Sequence, residues 1–322
     1  MEVVAAIGHG YGLIVKNRWK ARGLILFVVI AACIMLAVVF YWRFRSPESV
    51  ETLLRRLPQK NAVVVQLDVK MLRTAGLLEL VASSPVVEEE DYRRFVHETT
   101  FDYRSDLDLA LVSFEGEDIL ALLTGRFDLA ALKNYALVHG GKCQNGVCSL
   151  PASRPNRFIS FAPLRTNLIG WANSTDEIAA LRMFRSADVN QLPQVPAGPI
   201  WVSVPSSVWK KISTPSGTKL FAKALEDADY SMFSISLGVN GKAEASLEAF
   251  CKNDAAALSL HNQLQGVTEV FRKYMERADQ HPQPGDLGFV LTQGMFERTT
   301  NRVMGKWPLD RAFLEALAGG RL

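Results

Sequence analysis

Cysteine and histidine are scarce, at four and five residues in a chain of 322. None of the histidines (His9, His97, His139, His261 and His281) forms an H-x-x-x-H pair with an acid between. There is no G-x-S-x-G elbow, no P-loop and no dinucleotide fingerprint, so the usual signals of hydrolase and nucleotide chemistry are missing. A strong charge of either sign is missing too. The net charge is +3, but the first 45 residues carry Lys16, Arg18, Lys20, Arg22, Arg43 and Arg45 against Glu2 alone, which leaves the rest at −2. A main body of that charge argues against nucleic acid as a partner.

What is present begins with an uncharged run, GLILFVVIAACIMLAVVFYW, at 23–42 between Arg22 and Arg43. As a helix it is long enough to cross about 30 Å of hydrocarbon, and Tyr41 and Trp42 sit where interfacial aromatics belong. No small-x-small cleavage site follows it. The expectation is a cytoplasmic segment at 1–22, a transmembrane helix in membrane lipid at 23–42, and a juxtamembrane helix and linker at 43–60. The basic residues before the span favour a single pass through the inner (cytoplasmic) membrane with the large domain outside the cytoplasm.

Cys143 and Cys148 flank Asn145-Gly146 in GKCQNGVCSL. Asn-Gly suits a type I′ hairpin turn, which sets the two cysteines directly across the strands. A structural disulfide is expected, in keeping with an extracytoplasmic domain. Free thiols or half of a metal site remain open, although no other cysteine or histidine is near in sequence to complete the latter.

Along the rest of the chain, one order of elements occurs twice: strand, broken helix, hairpin, helix, strand pair, terminal helix. The first pass covers 61–186 and the second 199–322, with the proline-bearing linker ADVNQLPQVPAG at 187–198. The expected fold is α+β, an N-terminal transmembrane helix followed by two tandem ferredoxin-like (split β-α-β) units. LGFVLT (287–292) and FERTTNRV (296–303) are expected strands, and Ser174…Glu177 is expected to open a helix to about Arg185. In the second hairpin Phe233, Ile235 and Leu237 alternate with Ser234 and Ser236, which predicts one solvated sheet face. In the first, Leu107, Leu109 and Leu111 alternate with Ala110, Val112 and Phe114. Both faces are apolar, so each needs a cover.

LPQKNAVVVQLDVKMLR and FVHETTFDYRSDLDLALV resemble the LPxxAxxVxxVDxxxLR and TGFDPxxDLDxV segments of uncharacterised bacterial single-pass membrane-anchored proteins. The similarity covers roughly residues 57–125. Thr100 stands where glycine is usual and Tyr103 where proline is usual. The resemblance implies a membrane anchor and carries over no functional residue.

Candidate chemistry is sparse. Ser216 and Lys219 match the S-x-x-K of penicillin-binding proteins, as do Ser207 and Lys210, but K-T-G and S-D-N are absent. A helix start capped by Ser216 is the simpler reading. Asp102, Asp106 and Asp108 lack the EF-hand spacing and read as turn caps, with a weak calcium site as the alternative. The run Glu88-Glu89-Glu90-Asp91 reads as a solvated helix start, and His139 as a helix-end residue. Asn173 lies in a formal glycosylation sequon that helix capping explains equally well.

The sequence therefore predicts a non-enzymatic envelope protein without cofactor or metal. Its extracytoplasmic module would bind an envelope protein or a second copy, much as the platform proteins of type IV pili and type II secretion, which it resembles in architecture, carry domains beyond one span. An envelope hydrolase using Ser216 and Lys219, or a small-ligand or ion sensor, are the alternatives.

Overall fold

The computed structural model describes residues 48–78, 90–185, 195–211, 219–238, 243–277 and 285–318. All its elements belong to one compact unit, Val50–Leu322.

Twelve strands form a single sheet in the order β11-β12-β10-β9-β8-β1-β2-β3-β7-β6-β5-β4. They are β1 (Val63–Asp68), β2 (Leu107–Glu115), β3 (Asp118–Gly125), β4 (Lys142–Gln144), β5 (Val147–Pro151), β6 (Phe158–Arg165) and β7 (Leu168–Ser174) in the first half. The second half supplies β8 (Ile200–Pro205), β9 (Tyr230–Leu237), β10 (Ala243–Phe250), β11 (Met295–Thr299) and β12 (Arg302–Leu309). Every neighbouring pair is antiparallel.

This corrects the tandem ferredoxin-like units. In a split β-α-β unit the first strand is interior to its own sheet. Here β1 pairs with β2 on one side and with β8 of the other half on the other, with Val65 opposite both Val112 and Val202. The two halves repeat one strand order outward from that seam, β1-β2-β3-β7-β6 and β8-β9-β10-β12-β11, and merge into a continuous sheet.

The membrane anchor is corrected as well. Among the described residues no helix is long and apolar enough to cross a membrane. The longest, Asp254–Arg277, has 24 residues but carries Glu269, Arg272, Lys273 and Glu276. The expected span at 23–42 lies outside the described residues. The single-pass inner-membrane placement, the lipid contact through 23–42 and the membrane-anchored envelope scaffold with its protein partner or homo-oligomer are not carried forward. What stands is an α+β domain with an extended antiparallel sheet.

The helices are α1 (Val50–Leu54), α2 (Val69–Thr74), α3 (Glu90–Thr99), α4 (Tyr103–Asp106), α5 (Leu129–Val138), α6 (Ser206–Trp209), α7 (Lys219–Leu225), α8 (Asp254–Arg277), α9 (Leu287–Thr292) and α10 (Arg311–Ala318). Aspartates cap three of them: Asp68 Oδ1 accepts from Met71 N at 2.7 Å, Asp102 Oδ1 from Arg104 N at 2.9 Å, and Asp128 Oδ1 from Ala130 N and Ala131 N. Such caps satisfy amides that the helix itself leaves open.

The register divides the side chains between two faces. On the back face of the first half, Leu111, Leu120, Leu122 and Ala172 are buried with Leu53, Leu54 and Leu57 of the α1 segment and with Ala179, Ala180 and Met183. The last three belong to a short 3₁₀ helix, Ala179–Phe184, where a longer α-helix was expected. On the front face, Ala110 packs beneath Val69 and Leu72 of α2. The back face of the β2–β3 hairpin is thus covered, and α2 covers the Ala110 end of its front face, whereas Val112 stays partly exposed and Phe114 exposed on that front face. In the second half the front face is roofed by α7 to α10, and on the back face Trp201 joins the cluster under the α1 segment.

Two further expectations change. LGFVLT is the helix α9, and 296–303 is not one strand but most of β11, a turn at Thr300-Asn301 and the start of β12.

Cys143 and Cys148 are opposed in register and joined by a disulfide, with alpha-carbons 4.0 Å apart. Asn145 and Gly146 have φ of 52° and 80°, as a type I′ turn requires. Because the closed loop is so short, the Cys143→Ala/Cys148→Ala double variant is expected to lose no more than about 2 kcal/mol in urea unfolding. Unfolding of the whole chain at a matched urea concentration would show instead that the hairpin anchors the sheet.

Candidate functional site

A largely apolar space lies on the front face of the second half. It begins with strand alternation. In β8 to β10, Ile200, Val202, Phe233, Ile235, Ala245 and Leu247 point to this face, because Val202 opposes Phe233 and Ile235 opposes Ala245. Ser234 and Ser246 oppose each other on the other face, with Trp201 beside Ser234. Trp307 and Leu309 of β12 complete the floor.

The roof is built by helical spacing. Ala257, Leu260 and Leu264 recur on one side of α8 and are buried. Phe221, Ala222 and Leu225 come from α7, Leu287, Val290 and Leu291 from α9, and Phe313 from α10. Phe221 stacks on Phe271 with centroids 5.9 Å apart, which ties α7 to α8. Trp209 closes one side; its Nε1 donates to Ser231 Oγ at 2.7 Å and its ring meets Phe233 edge-on at 5.9 Å.

Between floor and roof lies a cavity of about 480 Å³. Its physical origin is a pair of small residues. Ala245 sits between the larger Ile235 and Trp307 in register, and Ala222 comes from the roof. Neither side chain reaches far enough to fill the gap. No carboxylate, amine, guanidinium, imidazole or thiol lines it. The nearby Gly305 is required by packing, since a Cβ there would come within 2.9 Å of the Phe296 ring.

No family model and no curated protein matches this chain. Among solved structures it is similar to crystal form I of TP0453, with a TM-score of 0.49 and 9% identity over 84% of this chain and 97% of that one. Crystal form III gives a TM-score of 0.47 at 10% identity with the same coverage. Crystal form IV gives 0.41 at 10% identity, over 82% of this chain and 94% of that one. The likeness is too distant to carry an argument about function.

The residues singled out by sequence do not gather at the cavity. Ser216 lies outside the described residues, and Lys219 opens α7 on its exposed side. The Ser207 hydroxyl donates to Asn61 Oδ1 at 3.2 Å. Asp102 and Asp106 serve a turn. Asp102 Oδ1 accepts from Arg104 N at 2.9 Å, and Asp106 Oδ2 accepts from Asp102 N at 3.0 Å. Burial raises the Asp106 pKa, but the Asp102 amide, the Ser105 hydroxyl and the Arg126 guanidinium outweigh it and hold the carboxyl below its ordinary value. Asp108 lies 4.0 Å from Arg73. No three metal-ligating side chains cluster among the described residues. His139 meets Glu98 at 2.8 Å, and the Asn173 side chain accepts from Arg157 at 2.9 Å.

Sequence reasoning missed the cavity residues. Ala222 and Ala245 look like an ordinary helix alanine and an ordinary strand alanine, and only the packing of α7 on β10 brings them together.

Proposed function

We propose that the protein binds one neutral, apolar small molecule, of hydrocarbon or fatty-acyl chemistry, in the cavity between its sheet and α7 to α10, and holds it without chemical change. The observation that carries this reading is the wall: about 480 Å³ of space bounded by apolar side chains. That size falls within the roughly 300–1,000 Å³ of ordinary ligand sites. Protein interiors otherwise leave few voids larger than a water molecule. Water gains little there, because it needs several polar partners and the wall is almost wholly apolar. A hydrocarbon gains about 0.8 kcal/mol for each methylene it buries. A charged ligand group would have to stay outside, since no charged side chain lines the wall to pair with it. With no carboxylate, imidazole, amine or thiol in the wall, the geometry supports binding rather than catalysis.

The test is a fluorescence titration of the full chain with N-phenyl-1-naphthylamine. Ala245→Phe, which fills the gap beside Trp307, is expected to weaken binding at least about tenfold, the loss of roughly two buried methylenes. Ala222→Leu fills it from the opposite wall and guards against a folding defect in the first variant. Equal probe binding by the wild type and both folded variants would reject the reading.

A further inference from the structure

The floor of the cavity continues beyond its roof. Phe233 and Val202 line the cavity. Val202 opposes Val65, and Val65 opposes Val112 across the seam between the halves. Val112 opposes Ala121, Ala121 opposes Trp171, and Trp171 opposes Phe161. Directly opposed residues of antiparallel strands share a face. These residues therefore form one unbroken row on the front face, without a charge. All except Ala121 are only partly buried. The row crosses seven strands at about 4.8 Å each, or about 29 Å. On one side it is bounded by Leu67, Ala110 and Leu123, which belong to the cluster beneath α2. On the other lies Phe114, 41% exposed.

Resting on the function proposed above, we infer that the ligand is elongated: an unbranched alkyl chain, one end of which fills the cavity while the rest lies along the Val202–Val65–Val112 row. The cavity alone would suit a compact molecule equally well. The row distinguishes the two, because it offers apolar surface along a line continuous with the cavity floor. An extended chain advances about 1.2 Å per bond, from roughly 3.5 Å for the three bonds of a residue. A hexadecyl chain thus spans about 19 Å, or about four strand spacings. Rooted at Phe233, it passes Val65 and Val112.

Photolabelling of the full-length protein tests this. Two hexadecyl alcohols are used, one with a diazirine at the terminal carbon and one with it beside the hydroxyl, together with an octyl alcohol carrying a terminal diazirine. Adducts are mapped by peptide mass spectrometry with and without excess unlabelled hexadecanol. The octyl probe should mark only cavity residues. One of the two hexadecyl probes should also mark Val65 or Val112, and competitor should remove that adduct. Hexadecyl adducts confined to the cavity from both probes would overturn the elongated ligand while leaving the cavity reading intact. Absence of any competable adduct from all three probes would overturn both.

Discussion

Leu122→Lys is expected to abolish the folded state. Leu122 is fully buried on the back face, opposite Leu111 and Gly170, in the cluster closed by Leu53, Leu54 and Met183. Losing a core leucine costs about 2–5 kcal/mol. The ammonium adds a further penalty, because it would be taken out of water among these apolar side chains. The combined cost approaches the roughly 5–15 kcal/mol of net stability that a domain possesses. Phe114→Lys, on the same hairpin but 41% exposed, is expected to change stability by no more than about 1 kcal/mol. Circular dichroism and urea unfolding of the two variants make the comparison. A folded Leu122→Lys with a wild-type midpoint would mean that the α1 segment and the 3₁₀ helix do not cover this face.

Arg157→Met is expected to be the most damaging loss of a polar group. Arg157 is only 8% exposed. Its Nε donates to Asn173 Oδ1 at 2.9 Å, and its Nη2 donates to Glu117 O at 2.6 Å and Asn173 O at 2.7 Å. The guanidinium thereby ties the β2–β3 turn to the end of β7. Asp118 lies 3.7 Å away and adds charge. Glu117 lies at 3.6 Å, but its side chain is 89% exposed and contributes little. Methionine would remove three charge-assisted hydrogen bonds made by a buried guanidinium, at a cost of about 3–5 kcal/mol. Lysine should not rescue it, since one ammonium cannot reproduce the planar fork. The check is urea unfolding together with amide exchange, in which protection should fall first around Glu117 and Asn173. Unchanged stability in Arg157→Met would show that the clamp is dispensable.

Local chemistry was legible in the sequence; long-range pairing was not. Asn145-Gly146 specified its turn because only such residues accept two left-handed positions in succession. The serines alternating with Phe233 and Ile235 marked the solvated face, which the register places opposite the cavity. The β1–β8 seam left no local trace. Val63–Asp68 and Ile200–Pro205 each read as a strand, and nothing in either names its second neighbour. LGFVLT is six residues long, too short to separate a helical period from a buried strand. Ser174 carried the signature of a helix cap, yet it ends β7, and its hydroxyl accepts from Asp176 N at 3.1 Å before the 3₁₀ turn. Thr100, where the resembling proteins have glycine, adopts φ of 57°, so the left-handed position persists without the residue that usually marks it. The cavity was illegible for the same reason as the seam: Ala245 and Ala222 line it from floor and roof, and neither alanine announces a gap.

The most direct measurement of the central claim is calorimetric titration of the full chain with dodecanol at several temperatures, beside Ala245→Phe. Binding in the cavity predicts saturable, one-to-one heat with a negative heat-capacity change, the mark of apolar burial, and its loss in the variant. No saturable heat in the wild type, or the same isotherm in both proteins, would contradict it.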